Sequence, residues 1–278
     1  MTFAQYETSI AAGEPVLLYD FFVGLAHWRY TSADRPITYV SNVYEPLAIA
    51  SGSINQGNEI KKKSLPVTVP LNAAVVAVLQ NYPPSRDFLL TITALHQTDP
   101  DQQGFNVFIG RVMSQSQAGA SVTLNCEPAY TGVKATGLRR RWQLNCAHVL
   151  YAPSTCTLSP STFKVVSAIT SVVGPVVTCA GLTPPIGLTW PGGYIEWDSG
   201  LGYPERRSIN SASGAVLTLA YGAPDLAPGL AVDAFPGCDH STTACTNFGI
   251  AGGTDQMLNY GGQPWIPSIN PLAGNPIY

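Results

Sequence analysis

The chain has 278 residues, of which 11% are charged and 45% hydrophobic, with 26 glycines, 23 prolines and a formal net charge of -3. That length supplies cores for one large or two modest domains, and the slight negative charge argues against a protein built to grip phosphates or to read nucleic acid sequence. Charge this sparse, against about 25% in soluble domains, leaves little freely solvated surface and predicts an exterior partly covered by other subunits.

Taken in order, the N-terminal residues show neither a positive n-region nor an apolar h-region, so no secretory signal is expected. Residues 17–23, 26–32 and 37–49 read as successive strands, rich in Tyr, Phe, Val and Ile and punctuated by Gly24 and Pro36, which predicts a meander. Gly57 and Asn58 suggest a turn, and the alternating Leu65–Val69 a strand that Pro66 pushes toward an edge. The period then changes: Leu71, Val75, Val78 and Leu79 have helical spacing between Pro70 and Pro83, so one short helix is expected there. Strands return at 88–96, 105–113 and 122–126.

The first domain is placed at 1–140 as a β-barrel-like unit, and the second at 141–278 as a β module. In the second, residues 163–232 read as strands, including a hairpin from Tyr194–Trp197 through Asp198–Gly202 to Arg206–Ile209, with Ala215–Tyr221 as the plainest strand. The apolar stretch 163–181 is broken by Lys164, Gly174 and Pro175 and is not a membrane span. After Pro236 the composition turns Gly-, Asn- and Pro-rich, which predicts an irregular tail anchored by Tyr260, Trp265 and Ile266.

The six cysteines divide into two kinds. Cys126 and Cys179 sit in strand-like runs and read as small buried hydrophobes. Cys146 with Cys156, and Cys238 with Cys245, form two pairs with nine and six intervening residues. Without an export signal, four such cysteines ask for a metal centre before disulfides. Spacing alone is compatible with an iron–sulfur cluster, with zinc, with two local disulfides, or with no metal at all, because zinc knuckles and ferredoxin runs are both tighter. His148 and His240 read as neighbours of the site or surface residues. Arg139–Arg141 and Lys61–Lys63 read as basic patches that are solvated or meet a neighbouring subunit.

The run Trp142–Cys156, the segments Phe235–Phe248 and Asn259–Pro267, and the opening Glu14–Phe21 with Arg29–Ser32 and Tyr44–Pro46 together resemble the tail-tip or baseplate hub proteins of long-tailed, non-contractile phages and gene transfer agents. The cysteine layout is similar to that of the L-type tail-tip proteins of lambda-like phages. Where the family commonly shows Asn-Phe-Gly-Gly-Phe-Pro, this chain has Asn259-Tyr-Gly-Gly-Gln-Pro264.

The resemblance implies a virion structural protein at the tail tip. It would be a homotrimeric hub that joins the distal tail or tube protein to the central tip or fibre protein, without sequence-specific nucleic acid binding. It further implies a 4Fe-4S cluster, with zinc as the alternative, held by Cys146, Cys156, Cys238 and Cys245. The expected fold is therefore mainly β, with an N-terminal β-barrel-like domain carrying one short helix, then a second β module closed by the four-cysteine metal site and an irregular C-terminal tail. A disulfide-linked β-sandwich that binds carbohydrate on Trp190, Tyr194, Trp197 and Tyr203 is the alternative of another class. Catalysis is not expected, since no Gly-x-Ser-x-Gly elbow is present and Glu205 stands where a dinucleotide loop needs its third glycine.

Overall fold

A computed structural model describes residues 3–9, 13–54, 64–80, 82–134 and 142–267. The expected turn at Gly57–Asn58 and the basic runs Lys61–Lys63 and Arg139–Arg141 lie outside the described residues. Two compact units are present: Met1–Ala135 with Asp198–Glu205, and Thr136–Trp197 with Arg206–Tyr278.

The first unit contains α1 (Phe3–Glu7), β1 (Pro15–Val23), β2 (Ala26–Thr31), β3 (Ile37–Tyr39), β4 (Asn42–Pro46), β5 (Ala50–Ser51), β6 (Leu65–Pro70), α2 (Ala74–Gln80), β7 (Leu89–His96), β8 (Phe105–Ala118) and β9 (Ser121–Pro128). These strands form one nine-stranded sheet in the order β3-β4-β2-β1-β7-β8-β9-β6-β5. The simple meander is therefore corrected: β2 runs parallel to β4, and β6 pairs with β9, distant in sequence, through Leu65↔Cys126 to Pro70↔Ser121. Alternation decides which face is buried. In β1, Tyr19, Phe21 and Val23 enter a core with Val67, Val69, Leu90, Ile92, Leu124 and Cys126, and Val75 and Val76 of α2 close over it. Tyr203, from the tip of the later hairpin, is part of that same core, and the Glu205 carboxylate accepts the Ser85 N–H at 2.7 Å.

The second unit contains α3 (Pro160–Phe163), β10 (Val165–Val173), β11 (Val176–Cys179), β12 (Thr189–Asp198), β13 (Pro204–Ser213), β14 (Val216–Leu219), β15 (Ala231–Gly237) and α4 (Thr242–Gly252). Its strands close into a barrel in the order β10-β11-β14-β13-β12-β15. The expected fold is corrected here. The barrel is in the second unit, and β15 closes it by pairing with β10 through Val165↔Ala234 to Ala168↔Ala231. The first unit's sheet ends instead in the short strands β3 and β5. Ile169, Val177, Ile195, Trp197, Ile209, Leu217, Val232 and Ala234 fill the barrel. Strand pairing and this apolar interior, not a metal site, close the module.

Two glycines let the barrel wall fold tightly where β12 meets the end of β15. A β-carbon on Gly193 would run into the Phe235 carbonyl, and one on Gly237 into the Pro191 carbonyl. The pairing has a register irregularity between Thr189 and Tyr194 at the same place.

The irregular tail is also corrected. Residues 242–252 form α4, and a short 3-10 helix follows at Gln256–Asn259. The Ser241 hydroxyl caps α4 by accepting the Ala244 N–H at 3.0 Å. Gly253, at φ 69°, ends the helix in the left-handed conformation.

Candidate functional site

The structure brings Cys146, Cys156, Cys238 and Cys245 to the lining of one small pocket, with His148, His240, Phe248, Gln256 and Asn259 among its other walls. Each arrives on a different element. Cys146 lies in the extended stretch after Trp142, and Cys156 in the turns before α3. Cys238 immediately follows β15, and Cys245 sits in the first turns of α4.

Hydrogen bonds knit these segments across long sequence distances. The Cys146 N–H donates to the His240 carbonyl at 2.9 Å, and its sulfur accepts the Gly261 N–H at 3.2 Å. The Cys238 sulfur accepts the His240 N–H at 3.3 Å, and the Cys245 thiol donates to the Gln256 carbonyl at 3.4 Å. The Gln256 side-chain amide donates to the Cys156 carbonyl, and the Tyr260 hydroxyl donates to the Leu144 carbonyl at 2.8 Å.

Beneath the pocket is a small aromatic core. Phe248 is buried against Phe163, with centroids 5.1 Å apart, and against Tyr151 at 6.1 Å, both edge-on. The Tyr151 hydroxyl donates to the Pro236 carbonyl at 2.8 Å, so the ring's one polar atom is satisfied inside. Leu158, Leu188 and Phe235 complete the cluster.

Burial governs the chemistry of these sulfurs. It pushes the Cys238 thiol up, and it pushes Cys245 up to about 11, with the neighbouring sulfurs of Cys146, Cys238 and Cys156 adding to the effect. A group raised in this way holds its proton at neutral pH.

The expected metal centre is overturned. Among the described residues, no group of three or more His, Cys, Asp or Glu could hold a metal ion. The Cys245 sulfur instead lies 3.4 Å from the Gln256 carbonyl, and the Cys146 sulfur 3.2 Å from the Gly261 N–H. The 4Fe-4S cluster and its zinc alternative both fall, and with them the cluster as a staple for the C-terminal half. The disulfide alternative falls too, since all six cysteines are free.

The aromatic platform of a carbohydrate module is likewise absent. Trp190, Trp197 and Tyr203 are buried, Tyr194 stacks on Phe235 at 4.5 Å, and the Trp197 indole N–H donates to Asp225 at 2.6 Å. The His148 ring donates from Nδ1 to the Asn259 carbonyl at 3.0 Å. Of the three expected tail anchors Tyr260 is tied in, while Trp265 is 91% exposed.

Sequence reasoning passed over Gln256 and Gly261, whose amides bind the cysteine-bearing segments. The usable signal was local: Ser241 and Gly253 bracket a helix, and Asp255 accepts the Met257 N–H at 3.2 Å to start the next turn.

Three comparisons bear on this architecture. A family described as "Phage conserved hypothetical protein BR0599" matches residues 189–270, from β12 through α4 to the turns that carry Gly261. No curated protein matches. Among solved structures, a chain of the "Virion of native gene transfer agent (GTA) particle" has the same fold, with a TM-score of 0.76 at 17% identity over 99% of this chain and 96% of that one.

Proposed function

We propose that the protein is a structural component of a phage-like particle, set at the tail tip as a hub that joins copies of itself, the end of the tail tube and the distal tip. The observation that carries this reading is the fold shared with a gene transfer agent virion chain along nearly the whole of both chains. The phage family match over 189–270 supports it independently.

Surface chemistry supports it as well. Only 11% of residues are charged, and large apolar side chains stand in solvent on each unit: Leu25, Val40, Phe105, Ile109 and Met113 on the first, and Trp142, Val149, Ile186, Leu258 and Trp265 on the second. Such surfaces suit subunit contacts. The role is structural rather than enzymatic. In it, the segments that carry Cys146, Cys156, Cys238 and Cys245 form a hydrogen-bonded cap that fastens α4 and the chain after it over the aromatic cluster.

The test is to purify particles from producing cells that carry an epitope-tagged copy and to label them with gold. Label at the distal end of the tail is expected. Particles free of the chain would overturn the reading. The native mass of the purified protein checks the trimer separately.

A further inference from the structure

Strand β8 outlasts its neighbour. It pairs with β9 up to Ala118↔Ser121, but its pairing with β7 stops at Leu89↔Arg111, followed by one bond from the Val112 N–H to the Phe88 carbonyl. Among the described residues, no backbone group bonds Met113–Ala118 on the side away from β9. Met113, Ser114, Ser116, Gln117 and Ala118 are exposed.

The turn fixes which groups face outward. Ala118 and Ser121 flank the two-residue turn Gly119–Ala120 and exchange both ladder bonds, so by alternation the N–H and C=O of Gln115 and Gln117 point to the open edge. Proteins usually blunt such an edge with charge or proline. Here Val112–Cys126 contains neither. The Gln115 side-chain oxygen is also buried and has no partner among the described residues.

The opposite end of the same sheet offers a match. β3 is the terminal strand, and it turns into β4 through Val40 and Ser41, paired Tyr39↔Asn42. The same alternation sends the N–H and C=O of Thr38 outward. Ile37–Tyr44 carries no charge, and Val40 (φ 46°) and Val43 are 71% and 51% exposed beside it. A β-branched residue at positive φ is strained, so this tip holds an apolar side chain in solvent at a conformational cost. The other terminal strand, β5, has two residues and is too short to template a partner.

We infer that the β8 edge at Met113–Ala118 of one subunit takes up the β3 edge of a second copy of this chain, continuing the sheet across the subunit boundary. This deepens the self-association in the proposed function and rests on it. Main-chain bonds at Gln115, Gln117 and Thr38 supply the pairing. Met113 and Ile109, 55% and 54% exposed, lie on the β8 side to meet Val40 and Val43. Neither segment carries a charge to set against the other. Because the two edges differ, the contact is heterologous, and a rotation that closes on itself gives a ring.

The experiment uses Gln117→Pro and Thr38→Pro, each removing an outward N–H that has no partner among the described residues. Melting curves identical to the parent establish that both variants fold; should either fail to, Gln117→Lys and Thr38→Lys take their places. By native mass and sedimentation, the parent chain assembles and each variant alone stays monomeric. An equimolar mixture of the two forms a dimer and stops, because one intact junction remains. Amide exchange at Gln115, Gln117 and Thr38 in the parent is slowed at least about 100-fold on assembly, from near-unprotected rates in the monomer.

Folded variants that assemble as the parent does, a mixture that forms no dimer, unchanged exchange at these amides, or a parent chain that stays monomeric at ~100 μM would each overturn the inference. Gold label at the tail tip with normal assembly of Gln117→Pro would refute this edge alone, and absence from particles would refute the proposed function alone.

Discussion

Replacing Phe248 by alanine tests how the cysteine-bearing lobe is held. Phe248 is 1% exposed and sits edge-on between Phe163 and Tyr151, in a core of six buried residues among those described. Removing a buried phenylalanine costs about 3–5 kcal/mol. A cluster this small has little material with which to close the gap, so about 4 kcal/mol is expected. At about 1.4 kcal/mol per decade, that raises the open population of the lobe nearly a thousandfold. Because Cys245 lies one turn before Phe248 on α4, opening exposes the four pocket thiols together. The assay is thiol labelling under native conditions at pH 8, resolved by peptide mass. Cys146, Cys156, Cys238 and Cys245 should gain reactivity in step, while Cys126 and Cys179, both at 0% exposure, keep the parental rate. A stability loss under about 1 kcal/mol, or labelling that rises at Cys126 as readily as at Cys245, would refute the argument.

Other consequences follow from particular side chains. With its thiol raised to about 11 against a reference of 9.0, Cys245 has a thiolate fraction at pH 8 of about one in a thousand, where an ordinary thiol has about one in ten. Its alkylation should be about 100-fold slower than that of a free thiol, and Cys126, pushed up to about 12 by burial, should be slower still. Since these acids bind their protons more tightly when folded, stability should hold below about pH 9 and fall as pH rises from there toward 11, visible as a declining melting temperature. Asp225→Ala strands the buried Trp197 indole N–H, now bonded at 2.6 Å, and should cost about 1–3 kcal/mol in urea denaturation. Gly193→Ala drives a methyl group into the Phe235 carbonyl where the barrel wall turns, and should lower stability by at least about 2 kcal/mol.

Strands with strict alternation were legible. The run at 88–96 became β7 (Leu89–His96), the Leu71–Leu79 periodicity became α2 (Ala74–Gln80), and Tyr194–Trp197 with Arg206–Ile209 fell in β12 and β13. Pairing between distant strands was not. Closure of the barrel depends on Val165 finding Ala234, and the central sheet on Leu65 finding Cys126, and no local period records either choice. Helix α4 was missed because Thr242–Gly252 has no apolar stripe and ends in glycines; its caps, Ser241 and Gly253, carry the information instead.

Convergence of the four cysteines was legible from their pairing along the chain, and the structure places them around one pocket. The chemistry drawn from that convergence was not sound. Residue type suggested soft anionic ligands, but among the described residues no group of three or more His, Cys, Asp or Glu could hold a metal ion, and the Cys245 sulfur is hydrogen-bonded to the Gln256 carbonyl. Low charge suggested covered surfaces, and the uncharged run Met113–Ala118 is visible in the sequence, but that β7 ends beside it at Leu89 is not.

The most direct test of the central claim is to locate the tagged chain on purified particles by gold labelling and electron microscopy. The account predicts label confined to the distal end of the tail. Label on the head, or particles without the chain, would contradict it.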